Sequence, residues 1–305
     1  PASRIALGKE IEEAVNSISV KDPIHDFWKT SLISLSKVLQ FQYEDFYPLQ
    51  IRLGENLDSY STFLRPLEHL KILSNTVKAY INFGEREKAR EFIFRIRKWT
   101  PTNQIEAEKQ KNIEVQRATE LAYNFHDRHL LHYSWNLLRN IEQPKDENDY
   151  STRLYLCTLS ALRIGEIELG ARILFLLRNF PGIRKTRLSW QPEILRIIYA
   201  YESGSIYDDY SRLMKSVKRT INSIPDLYPQ FVLQKLSLMQ ELGFDPDSIN
   251  SWRNELKLLQ LNKREMQNVK FFNVCDWASA FVQSKTIAEM EKNDSQSKGG
   301  STIAV

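Results

Sequence analysis

Three of the chain's five histidines fall within seven residues, His126-Asp127-Arg128-His129-Leu130-Leu131-His132. Histidines at i and i+3 on a helix can share a metal ion. Here repeated i+3 steps wind the rings around the helix, and His126 stands at a turn. No acidic or cysteine cluster accompanies them, so hydrogen-bonded or solvated turn histidines are expected, with no metal. Paired carboxylates recur at Glu12-Glu13, Asp208-Asp209 and Glu166/Glu168. Hydrolysis by two carboxylates needs them to converge in a cleft, and each of these pairs instead falls on a polar helix face or in a turn. The sequence carries no glycine-rich phosphate loop, no G-x-S-x-G elbow and no dinucleotide fingerprint. A non-catalytic protein without a cofactor is expected.

The elements that would position any such residues are helices. Glycine and proline number only 10 and 11 in 305 residues, too few turn formers for an all-β chain of this size. Turn residues recur at intervals near 40: Gly84, Asp127, Gly165, Gly204 and Gly243. Ala79-Tyr80, Ala122-Tyr123, Ala161-Leu162 and Ala200-Tyr201 precede the first four. Pro101, Pro144, Pro181 and Pro225 follow those four by 16 to 21 residues. One helix ends at each Gly or Asp, which tolerates the left-handed conformation of a C-cap. A second helix then runs to the proline, which cannot continue it.

Apolar residues agree with this pairing. Leu70, Leu73, Val77, Tyr80 and Ile81 form one helical stripe, and Ala89, Phe92, Ile93, Ile96 and Trp99 form another. Residues 171–180 are apolar nearly all round, which predicts a helix buried on most sides. Upstream, Asp26 reads as the N-cap of a helix over 26–40, with a partner over 45–57. Downstream, 230–242 and 247–261 pair around Gly243, with Asp247 as N-cap. Residues 264–291 read as one or two closing helices. The expected organisation is one helical domain over 1–291, of about six helix pairs, with a disordered tail over 292–305.

The segment 70–101, LKILSNTVKAYINFGEREKAREFIFRIRKWTP, resembles a tetratricopeptide motif. Leu73, Tyr80, Gly84, Ala89, Ile93, Ile96 and Pro101 stand at or near its packing positions. Segments 154–181 and 118–144 match more weakly, and the period here is 38–43 rather than the family's 34. The resemblance implies an all-α solenoid of stacked antiparallel helix pairs wound into a right-handed superhelix. It also implies a protein- or peptide-binding scaffold or adaptor that uses its concave face.

If 70–83 is a first helix, Lys71, Asn75 and Lys78 project away from its apolar stripe toward the groove. The same offset places Arg117 and Asn124 on that face. Later units offer Tyr155 and Ile194, so the groove is expected to turn apolar. Lysine supplies charge for a carboxylate, and asparagine both donates to and accepts from a peptide backbone.

The net charge is +4, from 42 basic and 38 acidic residues, and mean hydropathy is −0.43. The clusters Arg95-Arg97-Lys98 and Lys215-Lys218-Arg219 complement helix C-termini. Arg184-Lys185-Arg187 lies in an inter-repeat loop, freer to meet a partner. Nucleic acid is therefore a lesser alternative to a peptide, and a peptide-sensing domain of a larger regulator is another. Two distant cysteines, Cys157 and Cys275, favour a reducing, cytoplasmic compartment. The sequence has no hydrophobic leader core and no run long enough to span a bilayer, so no membrane insertion is expected.

Overall fold

The computed structural model describes residues 2–141, 146–180, 189–242, 245–262, 265–266, 268–269 and 272–291. The fold is all-α: among these residues every regular element is a helix. The predicted tail over 292–305 lies outside them, as do Gly243, Pro144, Pro181 and the Arg184-Lys185-Arg187 cluster. The chain forms two compact units, Pro1–Phe125 and His126–Val305.

The first unit contains α1 (Ala2–Asn16), α2 (Pro23–Leu39), α3 (Tyr43–Glu55), the single turn α4 (Leu57–Tyr60), α5 (Pro66–Asn82), α6 (Arg86–Lys98) and α7 (Gln104–Phe125). Its hub is α5, which packs on α3, α6 and α7. The predicted stripes supply the core: Leu70, Leu73, Val77 and Tyr80 are buried with Ala89, Phe92, Ile93 and Ile96. Burying each large apolar side chain contributes about 1.5–3 kcal/mol. Gly54 lets α3 approach α5 closely, since a Cβ there would collide with the Thr76 side chain. The Thr76 hydroxyl donates to its own helix, at the Ile72 carbonyl.

The second unit contains α8 (Arg128–Leu138), α9 (Glu147–Ile164), α10 (Ile167–Asn179), α11 (Gln191–Glu202), α12 (Ile206–Ile221), α13 (Leu227–Leu242), α14 (Pro246–Leu259) and α15 (Val274–Val282). Sequential helices pack on one another, and α11 also packs on α13. Ala161 and Leu162 are buried where α9 meets its neighbours.

Three predicted turns use glycine as expected. Gly84, Gly165 and Gly204 adopt φ of 75°, 84° and 70°. At Gly84 the chain closes with Glu85 N–H donating to the Tyr80 carbonyl at 2.9 Å. At Gly165, Glu166 N–H reaches Ala161 at 2.8 Å. The turn near Asp127 works differently. His126 takes the left-handed conformation, with φ 52°, and Asp127 instead caps α8, accepting from Leu130 N–H at 3.0 Å.

Two other caps are displaced. α2 is capped by Asp22 rather than Asp26, because Pro23 fixes the first helical residue. α14 is capped by Asp245 rather than Asp247, again one residue before a proline. The helix over 171–180 is less enclosed than its composition predicts. Ile173, Leu174 and Leu177 are buried, whereas Phe175 is 69% exposed. The α10 helix packs on α9 and α11, and a cleft of about 360 Å³ between it and α11 is lined by Phe175, Tyr199 and Leu213.

Candidate functional site

The α5 and α7 helices carry the first unit's polar face. Pro66 opens α5, and Glu68 folds back on its start, accepting from Arg65 N–H at 3.2 Å and from the Arg65 guanidinium at 2.6 Å. That pairing, with Lys71 nearby, holds the Glu68 carboxyl below the ordinary carboxylate range. At the start of α7, Asn103 Oδ1 accepts from Glu106 N–H at 3.0 Å. Glu106 in turn accepts from Thr102 N–H at 2.8 Å and from its hydroxyl at 2.9 Å, and these bonds lower its pKa. Gln110 fixes α7 to the end of α6 by donating to the Ile96 and Trp99 carbonyls at 2.8 and 2.6 Å.

Between the two helices lies a cleft of about 530 Å³. Leu67, Leu70 and Ile113 supply its apolar lining, and Arg65, Lys71 and Lys109 its cations. The carboxylates there, Glu68 and Glu106, are already satisfied by the bonds above. Lys71 and Lys109 form no ion pair among the described residues. The cleft therefore sets three cations, Arg65, Lys71 and Lys109, and two ionised carboxylates, Glu68 and Glu106, around an apolar floor.

Lys71 and Lys78 are exposed and Asn75 is half-buried, all on α5. Asn124 is exposed on α7, its amide donating to the Glu120 carbonyl at 2.7 Å. Arg117 does not project into a groove. It is 7% exposed, donates to the Ser74 hydroxyl at 2.9 Å and pairs with Glu120. Its role is to tie α7 to α5 beneath the face.

Tyr155 and Ile194 are each 1% exposed in the core of the second unit. No apolar groove passes over them, because α9 and α11 are enclosed at those positions. Lys109 and Ile113 were not singled out from the sequence. Their spacing of four on one helix is the signal available for them, but the repeat match in that unit starts at residue 118, whereas α7 begins at Gln104.

The remaining constellations lie apart from this cleft. His126 Nε2 lies 2.5 Å from Glu291, which also accepts from Arg163 at 2.7 Å. His132 faces Glu166, which pairs with Arg128. His129 is exposed. No group of three metal-ligating side chains is assembled among the described residues. Glu12 braces α1 on α2 through Lys37 and Gln40, and the Lys37 bond is the main cause of its lowered pKa. Arg95 reaches Asp58 at 2.9 Å, and Lys215, Lys218 and Arg219 are exposed late in α12. Cys157 and Cys275 are buried, and burial pushes the Cys275 thiol up to about 12. No described helix is long and apolar enough to cross a membrane.

Compared with known proteins, the chain matches no family model, no curated protein and no solved structure.

Proposed function

We propose that this chain is a non-catalytic protein- or peptide-binding scaffold, and that its binding surface is the α5/α7 face around Lys71, Asn75, Lys78, Lys109 and Asn124. One observation carries the reading. The cleft between α5 and α7 combines an apolar lining with two lysines in no ion pair among the described residues, while its carboxylates accept bonds from Arg65 and Thr102. Such a site favours an extended segment with apolar side chains and a negative group, the lysines fixing orientation and the apolar floor supplying affinity. The tetratricopeptide-like spacing of the helix pairs supports the same role. The cytoplasm is the setting we favour, since the two cysteines build no disulfide framework.

The test is a pull-down comparing the parent chain with a Lys71→Glu/Lys109→Glu variant. Surface substitutions of this kind change stability by about 0.5 kcal/mol or less, so melting should be unchanged while captured partners are lost. Capture of the same partners by both proteins would show that this is the wrong face.

A further inference from the structure

The α2 helix has three sides, and two are covered. α1 packs on one, with Gly8 against Ser36 and Gln40 and Glu12 bound to Lys37 at 2.7 Å. α3 and α4 cover another, through Gln50 to Ser34 and Tyr60 to Asp26, each at 2.5 Å. The third side carries Ile24, Trp28 and Leu35, which are 48%, 55% and 48% exposed. Leu32 and Leu39 are half-buried along the same stripe. Steps of three and four residues keep these five side chains on one face. A contiguous apolar strip that includes a half-exposed tryptophan marks an interaction surface.

The strip is complementary to itself. Two copies of α2 laid antiparallel about a two-fold axis between Ser31 and Leu32 bring Trp28 level with Leu35 of the second copy. The same register sets Ile24 level with Leu39, so the indole meets a smaller side chain and the ends of the strip match. Beside the axis each Leu32 lies against its own counterpart, and the small Ser31 leaves room for the close approach. Two-fold interfaces require such self-matching patches. The bordering cations also fit, since Lys21 comes level with Gln42 and His25 with Val38, with no like charges juxtaposed. A parallel pairing would stack Trp28 on itself, set His25 against His25 and align the helix dipoles unfavourably.

Area points to a weak pair, whose specificity rests on the register. A half-exposed large side chain offers on the order of 100 Å². Ile24, Trp28 and Leu35 in each copy, with smaller shares from Leu32 and Leu39, give on the order of 600–800 Å² in total, the range of weak, transient pairs.

We propose that this face of α2 is the symmetric interface of a homodimer, with the two α2 helices antiparallel. It is separate from the peptide-binding reading, which uses α5 and α7. Sedimentation velocity over about 1–100 μM should show a concentration-dependent dimer. Trp28→Glu should be monomeric throughout, with an unchanged helical spectrum, whereas the Lys71→Glu/Lys109→Glu variant should dimerise like the parent. Ser31→Cys, close to the axis, should form a reducible dimer on mild oxidation, because the native cysteines are buried. Lys29→Cys should not, because Lys29 is turned off the strip and donates to the Ile18 carbonyl at 2.8 Å. A parent chain monomeric at every concentration would overturn the proposal and leave the strip to a different partner. A dimer that survives Trp28→Glu, or Lys29→Cys cross-linking as readily as Ser31→Cys, would overturn it too.

Discussion

α5 and α9 occupy equivalent places in the sequence pattern, each ending in a glycine turn with a buried alanine four or five residues earlier. Their surroundings differ sharply. Eight of the seventeen residues of α5 are buried, and the rest leave Lys71 and Lys78 open to solvent. Eleven of the eighteen residues of α9 are buried, among them Ser151, Thr158 and Ser160. Those hydroxyls are enclosed because they donate to their own helix: Thr158 to Leu154 at 2.9 Å and Ser160 to Leu156 at 2.8 Å. Serine and threonine can therefore sit inside a helical core without an external partner. A lysine marks the outer face of α5, but a hydroxyl marks it in neither helix, since Ser74 and Thr76 of α5 are buried as well.

The largest test of this contrast is Tyr155→Ala. Truncating an enclosed aromatic side chain costs about 3–5 kcal/mol, whereas Lys78→Ala on α5 should stay within about 0.5 kcal/mol. Denaturant midpoints would measure both. A cost below about 1 kcal/mol at Tyr155 would mean that α9 is as open as α5.

Arg117 tests the boundary between the two kinds of position. It belongs to the polar face by spacing but lies beneath it, bonded to Ser74 and Glu120. Removing it leaves the Ser74 hydroxyl and the Glu120 carboxylate without that donor. Arg117→Ala should cost about 1–3 kcal/mol, more than Lys71→Ala and less than Tyr155→Ala. A double-mutant cycle with Ser74→Ala should show coupling between the two sites. A loss of partner capture with no loss of stability would instead restore Arg117 to the binding face.

These cases show which features the sequence makes legible. Turn positions are, because a left-handed residue and a helix stop impose residue types locally: Gly84, Gly165 and Gly204 all fall where the spacing predicts. The apolar stripes of α5 and α6 are, because period alone defines one face. Depth of burial is not. Nothing local distinguishes Lys78, which meets water, from Arg117, whose long apolar stem lets it lie between packed helices. The cleft at Lys109 and Ile113 was hidden for another reason. It depends on α7 running 22 residues, longer than its counterparts, and length beyond the repeat leaves no mark on the turn register. Cap positions shifted by two or four residues where a proline fixed the first turn.

The smallest expected effect lies at the far end of α9. Arg163 and His126 both reach Glu291. Burial alone would raise the Glu291 pKa, but the His126 bond and the Arg163 charge outweigh it, and the net shift is downward. A carboxyl lowered by folding contributes stability above its unfolded value near 4.5, and that contribution is lost as pH falls through the lower folded value. Asp276, in the same electrostatic neighbourhood, has the opposite sign: burial raises its pKa, so it opposes folding at neutral pH and less so in acid. The two partly offset, and the parent's acid profile alone would not separate them. Glu291→Gln does. At pH 7 it should cost less than about 1 kcal/mol, because the Glu291 side chain is 43% exposed and its ion pairs are screened. The gap between parent and variant should close as pH falls below about 4.5, when the parent's carboxylate also loses its charge. Chemical denaturation at several pH values would follow it. A gap that persists unchanged to about pH 3 would mean that packing of the 287–291 turn, rather than the charge of Glu291, holds that segment against α9.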